Sequence, residues 1–138
     1  MGIRYLIKYY MNGFVINLEK ETLENTDYRR VLYTAKNSQL VLMSIESGDE
    51  IGAEVHELDQ FIRVEAGNGK AIMDGVEHDL EDGSAIVIPA GMDHNVVNVG
   101  DTPLKLYSVY APAEHKDGTV HKTKADEKEE HFDGETTE

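Results

Sequence analysis

The sequence predicts an all-β single domain, and three observations carry that prediction. Short runs rich in β-branched and aromatic residues recur from Gly13 to Ala111, turn clusters bound them at sandwich-like or barrel-like spacing, and no long segment shows a helical apolar stripe. The length fits one domain: 138 residues and 15.4 kDa are enough chain to bury a core without staples.

Taken in order, the runs are Phe14–Leu18, Gln39–Ile45, Gln60–Glu65, Ala85–Ile88 and Leu104–Tyr110. Gly67-Asn68-Gly69 and Asp74-Gly75 are hairpin signals, because these residue types tolerate the positive φ of primed turns. Glu19–Asn25 is the one helical candidate, too short and polar to organise a core, and Thr26-Asp27-Tyr28 returns the chain to strand. Along Leu104–Tyr110, alternation sends Tyr107 and Val109 to one face and Leu106 and Ser108 to the other, without saying which is interior.

Both ends differ from the middle. Residues 1–12 read as an N-terminal extension to a barrel over 13–112. Met1–Tyr10 is apolar with only Arg4 and Lys8 charged, too short to span a membrane and without a signal-peptide pattern. The strand pattern begins after Met11, so the expectation is that Met11 is the natural start and residues 1–10 come from an upstream start assignment, the alternative being an ordinary extra N-terminal strand. Residues 113–138 form a polar, acidic tail, partly disordered, since its last ten or so residues have almost no apolar content to offset their ordering entropy. Val120, His115 and His121 are the residues of its first part that offer packing on the barrel.

Composition excludes several functions. The absence of cysteine removes a disulfide scaffold, a thiolate zinc site and a cysteine nucleophile, and suits a reducing, cytoplasmic compartment. Thirteen Lys and Arg against 27 Asp and Glu give a net charge of −14, which repels nucleic acid and anionic membranes alike.

Two segments carry chemistry: Gly48–Gly67, GDEIGAEVHELDQFIRVEAG, and Gly83–Asn98, GSAIVIPAGMDHNVVN. On a strand, residues two apart share a face, so Glu54 and His56 point together with Val55 opposite, and Gln60 opens the next strand. Pro89-Ala90-Gly91 makes a turn and His94 opens the strand after it. If His94 faces the same interior, two imidazoles and one carboxylate meet, a set that suits a divalent metal with open positions, and the Gln60 amide oxygen offers a weak fourth ligand. The competing reading of Glu54 and His56 is a simple hydrogen-bonded pair. His78, between Glu77 and Asp79, and the tail histidines His115, His121 and His131 read as solvated side chains. Arg63 lies an odd number of residues from Gln60, and alternation turns it away from the site.

Together the two segments resemble the cupin superfamily. Its first motif, G-x5-HxH-x3–4-E-x6-G, is matched by Gly48, Glu54-Val55-His56, Gln60 and Gly67; its second, G-x5-PxG-x2-H-x3-N, by Gly83, Pro89, Gly91, His94 and Asn98. Fifteen residues, 68–82, separate the motifs, a spacer typical of small microbial cupins, and the resemblance covers about residues 40–110. It implies a double-stranded β-helix, a jelly-roll barrel, with a divalent metal (iron, manganese, zinc or nickel) held by Glu54, His56, Gln60 and His94. The sequence departs from the pattern in two places: the first metal histidine is Glu54 and the family's glutamate is Gln60. The set still offers two histidines and one carboxylate, in a functional site of altered metal preference or in a cupin that binds its ligand without metal. Gly48, Gly67, Gly83 and Gly91 serve tight turns.

Cupins host many activities, so the fold alone does not give function. The expected function is a metal-dependent cupin acting on a small polar metabolite, as an isomerase of the mannose-6-phosphate-isomerase-like group or as an oxygenase. The alternatives are a cupin that binds a small carbohydrate or acid without turnover and a structural or stress-related cupin. The segments around the site contain few of the cations that a phosphosugar needs. A homodimer is expected, because open sheet edges gain by being covered and Phe14–Leu18 offers an apolar strand to a partner.

Overall fold

The computed structural model describes residues 10–128 and 130–138. The expectation about Met1–Tyr10 lies outside the described residues except for Tyr10. Among the described residues one short helix, α1 (Leu18–Glu24), is followed by nine strands: β1 (Arg29–Thr34), β2 (Gln39–Ile45), β3 (Asp59–Ala66), β4 (Gly69–Met73), β5 (Val76–Leu80), β6 (Ala85–Ile88), β7 (His94–Asn98), β8 (Leu104–Ala111) and β9 (Val120–His121). They form two antiparallel sheets, ordered β6-β3-β8-β2-β1-β9 and β5-β4-β7, the layered arrangement of a jelly roll.

The inner faces meet in one core. Val41, Met43 and Ile45 of β2, Ile62 and Val64 of β3, and Leu104 and Leu106 of β8 pack with Ala71, Leu80 and Val96 of the smaller sheet. The period of two on β8 thus resolves with Leu106, Ser108 and Tyr110 inward and Tyr107 and Val109 outward. Leu42 and Ser44 of β2 are buried as well, because α1 and its flanking loops cover part of the large sheet's outer face. There the Ser44 N–H donates to the Asp27 carbonyl and the Lys105 ammonium to the Asn25 carbonyl.

Asp74-Gly75 closes the β4–β5 hairpin, with φ of 47° and 82° at its two turn residues, as a primed turn demands. Gly67-Asn68-Gly69, by contrast, is not a hairpin turn. β3 pairs with β6 and β8 whereas β4 pairs with β5 and β7, so this segment carries the chain between sheets. Gly67 has φ +94°, and a Cβ there would lie 2.7 Å from the Pro103 carbonyl oxygen, so the crossing requires glycine twice over.

One further expectation differs from the structure. Phe14–Asn17 forms no strand: Asn17 caps α1, its side chain accepting from the Lys20 N–H, and Phe14 stacks on Tyr33 at 5.3 Å. The described residues of the tail run along the free edge of the large sheet. β9 pairs with β1, the Thr137 N–H donates to the Thr34 carbonyl, and the Glu138 carboxylate accepts from the Asn12 and Gly13 N–H groups. Edge-strand hydrogen bonding holds it in place, with little apolar burial.

Candidate metal centre

The segment ahead of β3 and strand β7 build the site between them. The Asn98 N–H donates to the Asp49 carbonyl, the Ile51 N–H to the Val96 carbonyl, and Glu54 and His94 form an isolated antiparallel bridge. Bridges at Glu50–Val97 and Glu54–His94 put one more residue on the first segment than on β7. The surplus falls at Gly52, whose φ of +107° makes the bulge. The bulge sets the phase at which Glu54 and His56, still two apart, turn to the same side as His94.

The ligand-capable atoms of Glu54, His56 and His94 all lie within 4.8 Å of one another. His56 Nε2 is 2.8 Å from Glu54 Oε2, and the two imidazole rings are 5.1 Å apart. His94 Nδ1 is 3.0 Å from the Met92 carbonyl oxygen; an N–H donated there leaves Nε2 with its lone pair for a metal. On the other side of the His56 ring, Nδ1 faces Glu114 Oε1 at 3.6 Å. Burial disfavours the charged form of His56, but the Glu54 hydrogen bond and the Glu54 and Glu114 charges outweigh it and raise its pKa. Burial likewise pushes Glu54 up, and its bond to His56 and the nearby positive charges bring it below the ordinary carboxylate value.

Gln60 occupies an inward position of β3, opposite Tyr110 of β8, and Tyr110 stands edge-on to His56 at 6.0 Å between ring centres. Its Nε2 donates to Ser108 Oγ at 3.2 Å, whereas its Oε1 is buried without a hydrogen-bond partner among the described residues. An unpartnered buried acceptor is costly. Two imidazoles and a carboxylate whose ligand-capable atoms lie within 4.8 Å of one another are a donor set that fits a divalent cation. Arg63 turns outward to Glu65, 2.8 Å away, and His78 is exposed on β5.

A cavity of about 400 Å³ opens beside Glu54 and His56. Its walls include Arg29 of β1 and, from the tail, Glu114 and Glu127, to which sequence reasoning assigned no role, together with the tail histidines His115 and His131. His115 and His121 are not solvated. His115 Nε2 lies 3.3 Å from the Tyr110 hydroxyl, and burial, aided by the Arg29 charge, drives its pKa down to about 3. The available signal was alternation on β1: Arg29 shares the inward face with Val31 while Arg30 points out. The tail residues carried no such signal, since their positions follow from β9 pairing at the far edge of the sheet.

The chain is similar to known proteins in sequence and in fold. The family model for the cupin domain matches residues 41–110. The uncharacterized protein YrkC of Bacillus subtilis (strain 168) is 48% identical over 120 residues, 82% of this chain. The chain spans 64% of the length of YrkC. The uncharacterized protein L612 of Acanthamoeba polyphaga mimivirus is 43% identical over 112 residues, covering 78% of this chain and 70% of L612. The crystal structure of BH2720 from Bacillus halodurans superposes with a TM-score of 0.81 at 50% identity, covering 82% of this chain and 91% of that one.

Proposed function

The chain belongs to the cupin family, and from that premise we propose that it is a divalent-metal cupin acting on a small polar metabolite. The observation that carries the proposal is the convergence of Glu54, His56 and His94 within 4.8 Å beside a cavity of about 400 Å³, a size that suits a metabolite. Glu54, His56 and His94 would hold the ion, with the Gln60 Oε1 as a weaker fourth donor. When bound, the ion supplies Lewis-acid or redox chemistry at its open positions.

The protein's own groups do the rest. The Met92 carbonyl fixes the His94 ring and its tautomer, and the Glu114 carboxylate places a negative charge behind His56. Tyr110 and the neutral His115 form a buried polar pair next to His56, and Glu127 and His131 of the tail help to wall the cavity from bulk water. Both an isomerase of the mannose-6-phosphate-isomerase-like kind and an oxygenase fit this arrangement. A binding cupin without turnover differs from both in leaving its ligand unconsumed. A cytoplasmic, homodimeric protein belongs to the same reading, supported by the cysteine-free composition and by the exposed Val15 and Val87. Among the described residues no helix is long and apolar enough to cross a membrane.

Elemental analysis of untagged protein prepared without chelator tests the proposal. About one equivalent of a divalent transition metal per chain is expected. Protein that holds none, and takes up none on dialysis against Fe²⁺, Mn²⁺, Zn²⁺ or Ni²⁺, would overturn it.

A further inference from the structure

Arg29 is the most deeply buried cation of the cavity wall, 4% exposed, whereas Lys128, the other lysine or arginine there, is exposed. A guanidinium in such a place must be paired, and its partner comes from the tail. Glu127, just past the 3₁₀ turn Lys124–Asp126, places Oε2 2.7 Å from Arg29 Nη1. The same Nη1 lies 3.3 Å from His121 Nδ1, and the Tyr28 ring flanks the guanidinium at 5.2 Å. The pairing is incomplete. Arginine presents a fork that matches a carboxylate through two parallel hydrogen bonds, yet Glu127 engages Nη1, and Nε is buried with no hydrogen-bond partner among the described residues.

We propose that Arg29 anchors the carboxylate of a small organic acid in this cavity, and that Glu127 holds that place from within the chain until the acid displaces it. The inference rests on the cavity being the ligand site of the proposed cupin function. The group already on the guanidinium is a carboxylate, so the site accepts that shape and charge. The cavity lining also favours a monoanion over a phosphate dianion, since Glu54, Glu114, Glu127 and Glu130 outnumber Arg29 and Lys128. Glu127 is the replaceable partner: its side chain is 35% exposed against 5% for Arg29, and it stands on the tail beyond β9, outside both sheets.

The test uses the full chain, metal-free and Mn²⁺-loaded, titrated calorimetrically with lactate and with lactamide, its neutral isostere. Wild type should bind lactate about tenfold or more tightly than lactamide in both states. Glu127→Gln should tighten lactate roughly three- to tenfold and leave lactamide unchanged, because the internal competitor has lost its charge. Arg29→Gln, with Mn²⁺ retained, should weaken lactate about tenfold or more. Lactate binding that survives Arg29→Gln, or that fails to tighten in Glu127→Gln, overturns the proposal; if Arg29→Gln does not fold, the Glu127→Gln result decides alone. Inorganic phosphate binding more tightly than lactate, with the same dependence on Arg29, would overturn the carboxylate assignment. Failure of the metal reading shows separately, as absence of Mn²⁺ uptake, and leaves the lactate comparison to be read in the metal-free protein.

Discussion

Glu54 and His94 exchange both of their backbone hydrogen bonds, the Glu54 N–H donating to the His94 carbonyl at 2.8 Å and the His94 N–H to the Glu54 carbonyl at 3.0 Å. Directly opposed residues of an antiparallel pair carry their side chains on the same face. The bridge therefore delivers a carboxylate and an imidazole from distant parts of the chain to one point, and His56 joins them by alternation. Because backbone pairing does this positioning, removal of a ligand side chain should leave the fold in place and take away the metal alone.

His94→Ala and His56→Ala should each lose metal nearly completely, since each deletes a strong donor from a three-point set. Elemental analysis of variants with unchanged circular dichroism checks this. Full occupancy in folded His94→Ala would place any metal elsewhere.

Gln60→Ala should cost less than either histidine, because an amide oxygen is a neutral donor that water replaces. Gln60→Glu should tighten Mn²⁺, a hard cation, by adding a second carboxylate. Competition with a chelating dye reads both, and metal loss in Gln60→Ala as complete as in His94→Ala would contradict the ranking.

Glu114→Gln should weaken metal binding by about tenfold, the usual cost of losing a carboxylate behind a histidine ligand. Glu114 Oε1 faces His56 Nδ1 at 3.6 Å and His131 Nδ1 at 3.2 Å. His131→Ala, which touches the carboxylate on its exposed side, should change metal affinity far less. Equal losses in the two variants would point to general disturbance of the tail.

His115 gives stability a defined pH dependence. Its folded pKa of about 3 lies below the ordinary histidine value of 6.5, so between these limits the unfolded chain binds the extra proton. This contribution is fully present above pH 6.5, and stability falls as the pH drops from there towards 3. The loss reaches a few kcal/mol on the order of magnitude set by one pKa unit per ~1.4 kcal/mol. Urea midpoints from pH 7 to 4 should fall less steeply in His115→Gln than in wild type.

Gly67→Ala should destabilise the protein by about 2 kcal/mol or more, through a positive φ that alanine resists and a Cβ pressed on the Pro103 carbonyl. A urea midpoint within error of wild type would mean that the crossing between sheets relaxes freely.

Much of the fold was legible because it depends on short-range rules. The runs Gln39–Ile45 and Ala85–Ile88 coincide with β2 and β6, Asp74-Gly75 closes its hairpin, and His94 opens β7. Each follows from the period of two or from turn chemistry within a few residues. The spacing of Glu54, His56 and His94 was likewise written into two local motifs. What the sequence could not determine depends on pairing between distant segments. The bulge at Gly52, the passage of Gly67-Asn68-Gly69 between sheets and the inward side of β8 are set by which strands lie opposite each other. The tail shows this most clearly. Its composition favours disorder, but two residues of β9 on the edge of β1 fix its path and carry Glu127 to Arg29 and His115 to Tyr110. Backbone hydrogen bonds to an open sheet edge require no apolar side chain, so no pattern of hydrophobic residues announces them; only the tertiary structure, by leaving that edge free, decides where the tail lies.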